Sequence, residues 1–208
     1  MYGNNQPHGM TTCRGRVSAV MKALTICLPL FAAQSAVAAG PVELSTPVSR
    51  VGNGEGGLRA SLQPVPDGSG TLEMTAWATP RLLGDYAQTN AIALLTDAQG
   101  TILMQAAFSC RRHMRQLAQT THAACQQPYK ISRDILARAS YLFIFNTLCV
   151  WQQASGQPTR VAGCVAEGDT VQQAAAFATQ TLPALLDESS LAVGGQITAG
   201  AWRGVRLR

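Results

Sequence analysis

Four cysteines in the second half of the chain, Cys110, Cys125, Cys149 and Cys164, constrain its folding more than any other feature. Thiols stay reduced in the cytosol and cross-link in exported proteins, so their role turns on the compartment. The N-terminal segment points to export. Lys22 precedes a short apolar run, Ala23 to Ala33. Gln34-Ser35-Ala36-Val37-Ala38-Ala39 then offers small residues at Ala36 and Ala38. A positive charge, a short apolar stretch and an Ala-x-Ala site are the parts of a signal peptide, expected here over residues 1–38. Met21 is the more ordinary start, which would make residues 1–20 an over-extended N-terminus. Cys27 does not read as a lipid attachment site, because Ile26 before it is not small and Lys22 stands too close. Cys13 and Cys27 fall within the leader. Residues 39–208 are expected to form a single exported domain, periplasmic or secreted, after cleavage near Ala38. No run beyond Ala39 reaches the ~18 apolar residues that indicate a membrane helix, so no transmembrane segment is expected in the mature chain.

Two disulfides are therefore expected among Cys110, Cys125, Cys149 and Cys164, with three connectivities open in principle. One pair follows from strand geometry. Tyr141 to Trp151 is apolar, β-branched and aromatic, and reads as a strand. Gln152 to Thr159, with Ser155-Gly156 and Pro158, reads as its turn, and Arg160 to Ala166 as a returning strand. A hairpin centred between Gly156 and Gln157 sets Cys149 opposite Cys164, at the roughly 4.5–5.5 Å of facing strand residues. That leaves Cys110 to pair with Cys125, with crossed pairings still open. A helix through that interval would hold them about 22 Å apart, so the chain must bend there.

Elsewhere the pattern has a period of two. Leu72, Met74 and Ala76 alternate with Glu73, Thr75 and Trp77, and Pro80 ends the run. Asp97-Ala98-Gln99-Gly100 joins two apolar stretches, Ala91–Thr96 and Thr101–Ala106, as a hairpin. Residues 40–50, with Pro41 and Pro47, read as an edge strand, and Gly52 to Gly57 as a flexible loop. Leu58–Leu62 is a short strand stopped by Pro64, and Asp67–Gly70 a turn. Ser132 is placed to cap a short helix ending at Arg138. Asp169-Thr170-Val171-Gln172 reads as a capping box opening a helix with Val171, Ala174, Ala175, Ala178, Leu182 and Leu185 on one face. Pro183 should bend or end that helix. Ala201 to Arg208 alternates as a last strand, Val205 and Leu207 against Arg206 and Arg208. These elements predict an α+β fold: a mostly antiparallel β-sheet, sandwich-like, with one or two packed helices and two disulfides.

The chain carries a net charge of +5, yet every acidic residue lies at or after Glu43, whereas Arg14, Arg16 and Lys22 precede it. Part of the basicity therefore belongs to the leader. What remains is concentrated: Arg111, Arg112 and Arg115 cluster, and no acidic residue separates Asp97 from Asp134. Guanidinium groups pair bidentately with carboxylates and phosphates, so the segment between Cys110 and Cys125 is the candidate binding loop, with Arg111, Arg112, His113, Arg115 and His122 as its site residues. The same segment allows a metal alternative. Cys110, His113, His122 and Cys125 form Cys-x2-His and His-x2-Cys half-sites that could hold zinc or copper if the thiols stayed reduced. No catalytic residues are assigned. Only His113 and His122 lie in the mature part, and no nucleophile-elbow or zinc-protease motif occurs. Gly52-x-Gly54-x-x-Gly57 has dinucleotide spacing but no strand–turn–helix context, so no cofactor is expected. Trp77 and Trp202 are candidate exposed aromatics and Trp151 reads as core.

The expectation is a non-enzymatic exported binding protein, of an inhibitor, immunity or envelope-accessory type. Its partner would be another envelope protein or an anionic envelope component, docked through the basic disulfide loop 110–125, and not nucleic acid. A periplasmic metal-binding protein and an envelope enzyme are the alternatives.

Overall fold

The alternation that marks Leu72, Met74, Ala76 and Ala78 puts all four on one buried face of a strand. The computed structural model describes residues 40–113, 124–154, 157–160, 164–180, 184, 192–197 and 199–208. Nearly all of its regular structure is antiparallel sheet. A first sheet holds β1 (Val42–Ser45), β2 (Ser49–Val51), β3 (Gly54–Pro64), β4 (Gly70–Pro80) and β7 (Cys125–Ile131), in the order β1-β3-β4-β7 with β2 also on β3. A second holds β5 (Tyr86–Thr96), β6 (Ile102–His113), β8 (Tyr141–Ala154), β9 (Gln157–Arg160), β10 (Ala192–Ile197) and β11 (Gly200–Arg206), in the order β10-β11-β8-β5-β6 with β9 on β8. Two helices complete it, α1 (Arg133–Arg138) and α2 (Glu167–Gln180).

The two sheets share one core. Leu58, Leu62, Leu72 and Met74 of the first pack in a single cluster with Ala91, Leu95, Leu142 and Ile144 of the second. The opposite face of the second sheet is apolar too. Ile92, Leu94, Phe143, Phe145 and Trp202 are covered by Ala174 and Ala178 of α2. The middle strands β5 and β8 are thus buried on both faces, which is why Tyr141 to Val150 lacks polar–apolar alternation. Among the described residues, no helix is long and apolar enough to cross a membrane.

Local chemistry explains the connections. The Asp97 carboxylate accepts hydrogen bonds from the backbone of Gln99 and Thr101, and Gly100 takes a φ of 81°, closing the β5–β6 hairpin as expected. The Ser132 hydroxyl accepts from the Ile135 amide and caps α1. Val205 and Leu207 join the core, as their alternation with Arg206 and Arg208 predicts.

Several expectations are corrected. Gly54 to Gly57 is not a loop but the start of β3; only Gly52 and Asn53 form the turn. A Cβ at Gly56 would collide with Thr89 Oγ1 and come 2.9 Å from Leu148 Cδ1, so glycine there permits close approach of the two sheets. The described returning strand is Gln157–Arg160, with Ala154 paired to Gln157, and Cys164 to Ala166 of the expected strand are not extended ladder; residues 161–163 lie outside the described residues. Helix α2 begins two residues before Asp169, so Asp169 lies in its first turn rather than at its cap. The Thr170 hydroxyl donates to the Ala166 carbonyl instead. Leu182, Pro183 and Leu185 lie outside the described residues.

Candidate functional site

The half-site Cys110-Arg111-Arg112-His113 is the last part of β6, and a strand sends successive side chains to opposite faces. Cys110 is fully buried between the sheets and bonds to Cys125 at the start of β7, with S–S 2.07 Å and Cα–Cα 5.6 Å. This disulfide joins an edge of one sheet to an edge of the other. Tyr129 reinforces the seam: its hydroxyl donates to the Ala107 carbonyl, and burial pushes its phenol above the ordinary value. Arg112 pairs with Ala87 and shares its face, turned toward the first sheet. Arg111 and His113 occupy the other face.

That outer face gathers residues from three strands. Tyr86 opposes His113 on β6 and Trp151 on β8. The Tyr86 and His113 rings stack at 3.9 Å, within 6° of parallel. The Arg111 guanidinium sits 5.1 Å from the centroid of Tyr86 and 5.1 Å from that of Trp151. Arg111 is exposed, while Tyr86, His113 and Trp151 are half-buried. A cation over an aromatic face gains roughly 0.5–1 kcal/mol at an exposed site, enough to favour one orientation without removing the group from water. His113 Nε2 is enclosed and has no hydrogen-bond partner among the described residues. Arg111 and Arg112 end β6 and Arg160 lies opposite Trp151 on β9, while the acidic Asp85, directly before Tyr86, is buried.

Behind this cluster a polar network locks α2 to the sheet. Asn90 Oδ1 accepts from Gln88 Nε2 at 2.7 Å and from the Ser109 hydroxyl at 3.0 Å. Its Nδ2 donates to Thr147 Oγ1 at 3.2 Å, and the Thr147 and Thr170 hydroxyls bond at 2.8 Å. The Cys149–Cys164 disulfide fastens the approach to α2 against β8, and Arg160 donates to the Cys164 carbonyl at 3.0 Å. Cys164 lies beyond the end of β9, so the pair is correct although the two residues do not face each other across a ladder.

Of the residues singled out in the sequence, Arg111 and His113 come together on one face and Arg112 departs to the other. Arg115 and His122 lie outside the described residues. The metal set does not assemble from what is described. Cys110 and Cys125 are bonded to each other and have no thiolate to give, and Cys110 and His113 point to opposite faces. No group of three or more His, Cys, Asp or Glu placed to hold a metal occurs among the described residues. Trp202 is buried in the core rather than exposed, and Trp151 is not core but the outer support of Arg111. Tyr86 and Trp151 were not legible as site residues, because their partnership depends on the pairing of β5 with β6 and β8. No family model, curated protein or solved structure matches the chain.

Proposed function

We propose that this is an exported, non-enzymatic binding protein, its leader removed near Ala38, with its two sheets stacked in a sandwich-like domain. It docks an anionic envelope component, or the acidic surface of another envelope protein, through the end of the second sheet where Arg111, Tyr86, His113 and Trp151 meet. The observation that carries this reading is the exposed Arg111 guanidinium resting between two aromatic rings. Rings that hold the guanidinium by its face leave its N–H edge for a carboxylate or phosphate. An arginine already oriented loses less side-chain entropy on binding than a free one. In the sequence, Arg115 follows β6 by two residues. Charge reversal gives the test. Arg111→Glu combined with Arg115→Glu should abolish capture of the partner from envelope extract by the oxidised protein, while the melting temperature stays within a degree or two. Undiminished capture by the reversed protein sinks the reading.

A further inference from the structure

The connection from β4 to β5 ends beside this cluster, since Tyr86 is the first residue of β5. It reads Arg81-Leu82-Leu83-Gly84-Asp85. The Arg81 amide donates to the Asn53 carbonyl, and the Asp85 amide to the Leu82 carbonyl at 3.1 Å, so the two leucines stand on a tight turn. Gly84 takes a φ of 87°, which closes that turn. Leu82 is 50% exposed and Leu83 54%, the largest values for big apolar side chains among the described residues. The other exposed large aliphatic side chains among the described residues, Val48 and Val65, lie apart from each other, whereas Leu82 and Leu83 are adjacent. The turn is flanked by cations. Arg81 precedes it and is ion-paired to Glu55, and Arg111 lies over Tyr86 just beyond it. The acidic residue of the turn, Asp85, is buried.

We infer that the anionic partner is a phospholipid bilayer surface, which the Leu82–Leu83 turn enters while Arg111 and Arg81 meet the headgroup phosphates. This rests on the docking reading above and names its partner. A protein interface needs an extended complementary patch of roughly 800 Å² on each side. Two leucines on a projecting turn make instead a small apolar wedge, suited to a medium that deforms around it. Tyr86 follows the turn directly and pairs with Trp151, and amphipathic rings of this kind favour the headgroup boundary. Arginine near an anionic surface adds attraction of about fivefold in affinity per residue.

The oxidised protein should co-sediment with vesicles of mixed phosphatidylglycerol and phosphatidylcholine, and bind pure phosphatidylcholine at least about tenfold more weakly. Leu82→Ser/Leu83→Ser, which adds no charge, should weaken binding to the anionic vesicles by about tenfold or more with the melting temperature lowered by no more than a few degrees, because each side chain is already about half in water. Arg111→Glu should weaken it about fivefold or more and flatten its dependence on salt. Binding that ignores the leucine pair, or no binding to the anionic vesicles, overturns the inference. Capture of an acidic protein that depends on Arg111 and not on the leucines would keep the docking reading while removing the membrane. If neither vesicle binding nor protein capture depends on Arg111, both readings fall.

Discussion

Asp97 shows how one side chain can set the pH response of this domain. Burial raises its carboxyl, but hydrogen bonds from Thr101 and Gln99 outweigh that and hold it below the ordinary range. Glu55 is lowered chiefly by the hydrogen bond from Arg50, and Asp67 by those from Ser69. A carboxylate depressed in the folded state stabilises it above the unfolded pKa of about 4, and that contribution is lost as pH falls through the folded value. Melting temperature should therefore hold steady from neutral pH to about 5 and fall progressively below about 4. Asp97→Asn should lower the neutral melting temperature and shallow the acid slope, read by thermal melts across pH. An unchanged slope would remove Asp97 from the account. At this level the sequence was readable where chemistry is local. Asp97, Gly100 and Ser132 were each placed correctly because their roles depend on neighbours within four residues. Gly56 was not, because its reason is Thr89 and Leu148 on another sheet.

Strand β6 and helix α2 carry the arrangement of the candidate site. The run Cys110 to His113 looks like a convergent cluster in the sequence, yet extended backbone divides it, sending Cys110 inward and His113 outward. That division lets one segment both cross-link the sheets and present Arg111. Helix α2 contributes differently. Its burial of Thr170, Ala174 and Ala178 follows from their spacing of four, but its position depends on Asn90. Asn90 is 2% exposed and joins Gln88, Ser109, Thr147 and, at 3.5 Å, Thr170. Asn90→Ala would remove these bonds together, although Thr147 and Thr170 keep each other, at a cost of about 0.5–1.5 kcal/mol per bond lost. Urea denaturation should show a loss of at least about 1 kcal/mol, and amides in the first turns of α2 should exchange faster than in the wild type. Wild-type stability in Asn90→Ala would mean that apolar packing holds the helix unaided.

Across the molecule, the disulfides join parts that strand pairing leaves separate. Cys110–Cys125 ties sheet to sheet, and Cys149–Cys164 ties β8 to the segment leading into α2. Each closes a loop of sequence separation 15, worth up to about 3 kcal/mol in the chain-entropy account. Replacing Cys110 and Cys125 together by alanine should reduce unfolding free energy by about 2–3 kcal/mol, measured with urea under non-reducing conditions. The wild type under a strong reductant should lose more, the sum for both bridges. No loss in either experiment would show that burial holds the sheets together unaided. Reading along the chain was enough for the antiparallel character, the capped helix α1 and the basic character of the segment around Arg111, and it favoured the two cysteine pairs that form while leaving crossed pairings open. Each of these rests on alternation, turn chemistry or charge, which act between near neighbours. Folding in three dimensions chose which strands meet. It brought Tyr86 and Trp151 beneath Arg111, set Arg112 on the opposite face, and left Leu82 and Leu83 projecting beside them, because cross-strand contacts join residues that no local pattern relates.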